Sequence, residues 1–149
     1  MWKLSPSQRL ERWKKLREQM SNLPLESALD LCAQNWAVAP EAAWYLEPAE
    51  VESWPDPWTL VQDNYWCPLA KALGMLYTLH LSGHGPGLDL SIRVYADTEN
   101  KVRHNLVWID EGKYVLNSED AMVLNKTHIT QQYKLLFSIS SSELKLDRY

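Results

Sequence analysis

The spacing of the apolar residues changes once along the chain, and this change constrains the fold more than any other feature. In residues 6–21 the apolar side chains recur at helical spacing, and a second helical segment follows at 25–36. From residue 88 onward apolar and polar residues alternate, beginning with "LDLSIRVY" at 88–95. Helices first and strands afterwards are typical of an α+β protein. The sequence therefore predicts one α+β domain over residues 1–149, with N-terminal helices followed by an antiparallel sheet.

Local signals set the element boundaries. "SPSQ" at 5–8 is a capping box with a proline in the first turn, and Asp56 is placed to cap a short helix, "PWTLVQDN". Four prolines within 38–57 predict a loop with one turn near 49–53. Further strands are predicted at 102–109, 113–117, 121–124 and 132–139, with a "DEG" turn at 110–112. The domain divides into a helical, acidic, tryptophan-rich part (1–57) and a cysteine-bearing helix plus sheet (58–149).

Charge is unevenly distributed over a chain of net charge −4. Residues 1–18 carry six basic and two acidic side chains, whereas residues 19–70 carry eight acidic side chains and no Lys or Arg. A long acidic segment argues against nucleic acid as a partner, because it would repel phosphate. Two interpretations remain: the basic first helix docks on the acidic segment, or the bipolar surface orders neighbouring subunits.

The cysteine count and the N-terminus bear on location. Two cysteines, Cys32 and Cys67, suggest no disulfide framework, and Cys32 lies on the apolar side of a predicted helix. The first twenty residues lack the apolar core of a signal peptide, and no apolar run approaches 18 residues. We therefore expect a cytoplasmic protein with no membrane partner.

Cys67 stands directly before Pro68 and an apolar helical run, "PLAKALGML". Because proline favours the first position of a helix, Cys67 is the predicted N-cap. A thiol there would face free N–H groups and the positive end of the helix dipole, which favour the thiolate. The alternative is a small apolar residue packed at the start of a helix.

A histidine and an asparagine follow this helix on two predicted strands. "RHNLVWID" places His104 on one strand, and "GKYVLNSED" ends the next at Asn117. Together with "YWCPLAKALGML", this order resembles the transglutaminase-like branch of the papain-like fold over about residues 58–118. The alternatives are a solvent-exposed strand histidine and an asparagine that ends a strand at a turn.

The resemblance implies a catalytic triad. Cys67 would be the nucleophile, His104 the acid–base and Asn117 the group that orients the imidazole. Candidate oxyanion donors lie just upstream, at Gln62, Asn64 and Trp66. The chain departs from the family in placing Pro68 after the nucleophile position and in lacking the aspartate and proline that often close the third element.

Eight tryptophans are the other unusual feature. Trp54 and Trp58 flank two prolines in "SWPDPW", and with Trp44 they are candidate anchors for a protein partner. The alternative is that they pack in the core. His80 and His84 are four residues apart, but a helix end is predicted between them, so neither a metal site nor a cofactor is predicted.

Two functions follow. The preferred one is a non-catalytic interaction or assembly protein on a transglutaminase-like fold, with protein partners. The alternative is a cysteine-dependent hydrolase or acyltransferase that uses Cys67, His104 and Asn117. The segment "ESWPDPWTLVQDNYWCPLAKALGMLYTL" is also similar to small uncharacterised proteins encoded beside tail and baseplate genes of contractile-tailed bacteriophages, which implies a virion component.

Overall fold

The α-helices precede the strands in the computed structural model, which describes residues 1–42, 46–63 and 66–149. The helices are α1 (Pro6–Ser21), α2 (Leu25–Ala37), α3 (Pro57–Asp63) and α4 (Pro68–His80). The strands are β1 (Leu90–Asp97), β2 (Val102–Ile109), β3 (Tyr114–Asn117), β4 (Met122–Leu124) and β5 (Tyr133–Ser140). The predicted α+β class is confirmed.

The helix starts form where the sequence places caps. The Ser5 side chain accepts a hydrogen bond from the Gln8 N–H, and the Gln8 side-chain oxygen accepts one from the Ser5 N–H, which completes a capping box. Asp56 accepts a bond of 2.8 Å from the Thr59 N–H at the start of α3. In the proline-rich stretch the predicted turn is a single 3-10 turn at Val51–Ser53.

The five strands form one antiparallel sheet in the order β4-β3-β2-β1-β5. The predicted turn at 110–112 joins β2 to β3, and Asp110, Glu111 and Gly112 all have positive φ. A Cβ on Gly112 would lie 2.5 Å from the Trp108 ring, so this turn needs glycine for space as well as for its backbone angle.

The two faces of the sheet bury different sets of residues. The inner face packs against α4 through the alternating residues Leu90, Ile92 and Val94 of β1 and Val107 and Ile109 of β2. The outer face carries a second buried cluster, formed by Tyr95, Leu106, Trp108 and Val115 and covered in part by Leu124, Ile129 and Tyr133. Because both faces are covered, β2 is buried on both sides from Leu106 onward.

A buried hydroxyl joins three of the helices behind the sheet. The indole N–H groups of Trp13 and Trp36 donate to the Thr78 hydroxyl oxygen at 2.9 and 3.0 Å. The Thr78 hydroxyl in turn donates to the Gly74 carbonyl at 2.6 Å. At Gly74 the backbone of α4 lies close to α2, because a Cβ there would lie 2.3 Å from the Trp36 ring.

The basic first helix docks on the acidic segment, but not through carboxylates. Arg9 is buried and donates to the backbone carbonyls of Val61 and Gln62 at 3.1 and 2.8 Å. The guanidinium of Arg17 stacks on the Trp13 ring at 4.2 Å. Within the described ranges, no salt bridge joins α1 to the acidic segment. None of the helices described is both long enough and apolar enough to cross a bilayer.

Candidate functional site

Cys67 is the N-cap of α4, as the sequence predicts. Its backbone is extended, with φ −77° and ψ 169°, and its carbonyl accepts the Lys71 N–H at 3.0 Å, while Pro68 occupies the first helical position. The thiol is free and makes no capping hydrogen bond, and the residue is only 1% exposed. One turn on, the buried Lys71 pairs with Glu41 at 3.6 Å.

A groove of about 330 Å³ opens beside Cys67. It lies between the start of α4, the chain at 46–48 and the inner face of the sheet. Its walls are mostly apolar and include Leu46, Pro48, Pro68, Leu69, Val94, Val102 and Phe137. Its polar side chains, besides the thiol, are Arg103 and Asn105 of β2. Sequence reasoning did not identify these two residues as functional.

His104 points away from this groove. It stands opposite Tyr95 in the register of β1 and β2, and Tyr95 belongs to the outer-face cluster. Its Nε2 lies 3.7 Å from Asp97 Oδ2 and its Nδ1 lies 3.7 Å from Glu119 Oε2. The ring also meets Tyr133 edge to face, with centroids 5.4 Å apart.

The two carboxylates beside His104 have different electrostatic surroundings. Hydrogen bonds from the backbone and side chain of Asn100 lower the pKa of Asp97. Burial raises the pKa of Glu119, partly offset by the nearby His104. The two ring nitrogens of His104 are buried and have no hydrogen-bond partner among the described residues.

Asn117 shares the outer face with His104. It stands opposite Leu106, a member of the outer-face cluster. Its side-chain oxygen accepts a hydrogen bond of 3.0 Å from the Glu119 N–H. This bond forms the turn at the end of β3 that the sequence left open as an alternative.

Side chains alternate between the two faces of a strand, so the backbone of β2 separates His104 from Cys67. The structure therefore does not bring Cys67, His104 and Asn117 together.

The two candidate oxyanion donors that the structure describes, Gln62 and Trp66, do not line the groove. The Trp66 indole N–H is buried and donates to the Leu60 carbonyl at 3.1 Å. Gln62 is exposed on α3, and its backbone carbonyl accepts from Arg9. The third candidate, Asn64, lies outside the described residues.

Most of the tryptophans pack in the core. Trp54, a candidate partner anchor, is 7% exposed and donates its indole N–H to the Glu47 carbonyl, so that expectation was wrong. Trp58 is 43% exposed and contacts the Tyr149 ring edge to face, which leaves it accessible to a partner. Trp44 lies outside the described residues. Buried tryptophans fill the space between helices, as Trp2, Trp36 and Trp66 do in contact with one another.

His84 contacts backbone carbonyls of the N-terminal part of the chain. Its Nε2 lies 3.1 Å from the Met20 carbonyl and 2.9 Å from the Leu23 carbonyl, at the end of α1. Within residues 1–42, 46–63 and 66–149, no group of three His, Cys, Asp or Glu side chains is arranged to hold a metal ion.

The four α-helices of the described residues lie on one face of an antiparallel sheet, and a cysteine stands at the start of the helix that packs on it, which makes an α+β fold. Among solved structures, LapG from Legionella pneumophila has a similar fold, with a TM-score of 0.70 and 15% identity over 91% of this chain and 75% of LapG. Calcium-bound LapG gives a TM-score of 0.69 and 14% identity over 93% and 77% of the two chains. No family model and no curated protein matches the sequence. At this identity the likeness shows the fold alone.

Proposed function

We propose that this chain is a binding protein on a transglutaminase-like fold, whose Cys67 groove receives a segment of a protein partner without acyl transfer. The observation that carries the proposal is the alternation of β2, which turns Asn105 toward the groove and His104 away from it.

The chemistry of acyl transfer supports this proposal. A cysteine nucleophile needs a base within hydrogen-bond reach to hold and return the proton. The groove offers a guanidinium and an amide beside the thiol. Guanidinium stays protonated at all ordinary pH values, and an amide does not take up protons, so neither acts as a general base.

The groove has the character of a binding site. Its walls are largely apolar, and Leu69 and Val94 among them belong to the hydrophobic core, against which Phe137 packs. Pre-formed apolar grooves with a few polar groups are typical ligand sites. Exposed Trp58 is a further contact candidate, at a distinct place on α3.

The second candidate function is a cysteine-dependent hydrolase or acyltransferase. The position of Cys67 at a helix N-terminus favours it, as does the resemblance of the sequence to transglutaminase-like proteins, and the fold shared with LapG is compatible with it. It would use Cys67, His104 and Asn117 as the sequence resemblance implies, and it requires His104 to reach the inner face of the sheet. Nothing in the comparisons supports a bacteriophage tail or baseplate role, which stays a sequence-based prediction.

The deciding experiment is the rate of Cys67 alkylation against pH in a Cys32→Ser background. We expect slow alkylation whose dependence on pH is unchanged by His104→Ala. Rapid alkylation that extends to acidic pH, where a thiol is normally protonated, and that is lost with His104→Ala would overturn the binding proposal and establish the enzyme.

A further inference from the structure

The inner face of the sheet carries two cations beside the Cys67 groove. In the register of β1 and β2, Ala96 stands opposite Arg103, and in the register of β1 and β5 it stands opposite Lys134. Residues directly opposite on neighbouring strands point to the same face, so Arg103 and Lys134 flank Ala96 on the inner face. Both cations are exposed.

A β-bulge in β5 produces this placement. Val94 pairs with Phe137 and Tyr95 with Leu135, so Leu136 is the extra residue. The bulge lets Phe137 line the groove while Lys134, three residues earlier, points to the same face.

The small side chain of Ala96 leaves space between the two cations. Neighbouring strands are about 4.8 Å apart, so the backbones of Arg103 and Lys134 lie roughly 10 Å apart. Two long, flexible side chains at that separation can both reach one carboxylate held above Ala96.

Among the described residues that line the groove, Arg103 carries the one charge, and it is positive. In the part of the chain that the structure describes, neither Arg103 nor Lys134 forms a salt bridge. Glu47 lies between the wall residues Leu46 and Pro48, but its side chain is not part of the lining.

We propose that the groove binds a peptide segment in which a carboxylate side chain is adjacent to an apolar one. The carboxylate lies above Ala96 between Arg103 and Lys134, and the apolar side chain enters the groove along Val94 and Phe137 toward Cys67. This inference rests on the proposed binding function and names the partner segment that the same site recognises.

The test uses three peptides, fluoresceinyl-Ala-Leu-X-Leu-Ala-amide, labelled at the N-terminus, in which X is Glu, Gln or Lys. Fluorescence anisotropy with the whole chain gives the Kd of each. Each exposed ion pair contributes little by itself, but two cations act on one carboxylate here. We therefore expect the Glu peptide to bind about tenfold more tightly than the Gln peptide at low salt. The Lys peptide should bind more weakly than the Gln peptide.

The double variant Arg103→Gln/Lys134→Gln should bind the Glu and Gln peptides equally. The matched control is Lys14→Gln, which removes an exposed cation from α1 and should leave the Glu preference unchanged. Equal binding of the Glu and Gln peptides to the unmodified chain would overturn the inference, as would no binding of any peptide or an equal loss of preference in Lys14→Gln.

These outcomes are separate from the failure of the proposed function. Cys67 alkylation reports on the thiol and His104, whereas the anisotropy series reports on Arg103 and Lys134. Peptides that bind without regard to charge, together with slow Cys67 alkylation that is unaffected by His104→Ala, would refute this inference and leave the binding function in place.

Discussion

Replacing Thr78 by valine removes one buried hydroxyl on which two tryptophans depend. Thr78 is fully buried, and its oxygen accepts the indole N–H groups of Trp13 and Trp36. Valine has nearly the same shape, so Thr78→Val removes the acceptor with little change in packing volume. Both indole N–H groups would then be buried without a partner.

The expected loss follows from the number of donors left unpaired. Each buried donor without a partner costs about 1–3 kcal/mol, so the variant should lose roughly 2–6 kcal/mol of unfolding free energy. For a chain of this length that corresponds to a fall in Tm of roughly 6–18 °C. The Gly74 carbonyl loses the hydrogen bond from the Thr78 hydroxyl, but it keeps the helical hydrogen bond from the Thr78 N–H.

Thr78→Ser is the matched control, because it keeps the hydroxyl and loses only a methyl group, at about 1 kcal/mol. Guanidinium unfolding followed by far-UV circular dichroism measures both variants. We expect Thr78→Val to be clearly less stable than Thr78→Ser. A valine variant as stable as the serine variant would show that the indole N–H groups do not depend on this hydroxyl.

Three further outcomes are expected. In Gly74→Ala the new Cβ would lie 2.3 Å from the Trp36 ring, so overpacking of about 1–3 kcal/mol should outweigh the roughly 1 kcal/mol gained in helix propensity. A thermal melt should therefore give a lowered Tm, and a raised Tm would contradict this. Asp97 has a lowered pKa in the folded state, so its carboxylate stabilises the fold above the unfolded pKa of about 3.9, and this contribution is lost as the pH falls. The free energy of unfolding of Asp97→Asn, measured across acidic pH, should therefore depend less on pH than that of the unmodified chain. An unchanged dependence would count against this role of Asp97. Cys32 is 0% exposed, and burial raises the pKa of its thiol. Mass spectrometry should therefore find Cys32 alkylated far more slowly in the folded than in the denatured protein, and equal rates would refute this.

Sequence reasoning located the elements well because their signals are local. The capping box at Ser5, the cap at Asp56 and the cysteine before Pro68 each depend on residues within one helical turn. The turn at 110–112 is likewise set by its own residues. Such features do not depend on what packs against them.

The composition of the site was not predictable in the same way, because it depends on which face of β2 is turned inward. Asn105, Val107 and Ile109 form one alternating set, and His104, Leu106 and Trp108 form the other. Both sets contain two large apolar residues, so hydrophobicity does not choose between them. The choice depends on what covers each face, which is tertiary information.

The Arg103 and Lys134 pair was missed for a related reason. These residues meet across Ala96 only because β5 pairs with β1, and only the bulge at Leu136 turns Lys134 inward. Neither the strand order nor the bulge has a local signal in the sequence. The partner role expected of Trp54 was wrong because an indole in a proline-rich loop fits equally well into the core.

The inward position of Asn105 has an evolutionary consequence. Because this residue already lines the groove that Cys67 shares, Asn105→His would place an imidazole on the thiol's side of the sheet without any change of strand register. A single point mutation at this position would therefore bring an imidazole to the groove that Cys67 lines. The core, the strand order and the helix caps would stay the same.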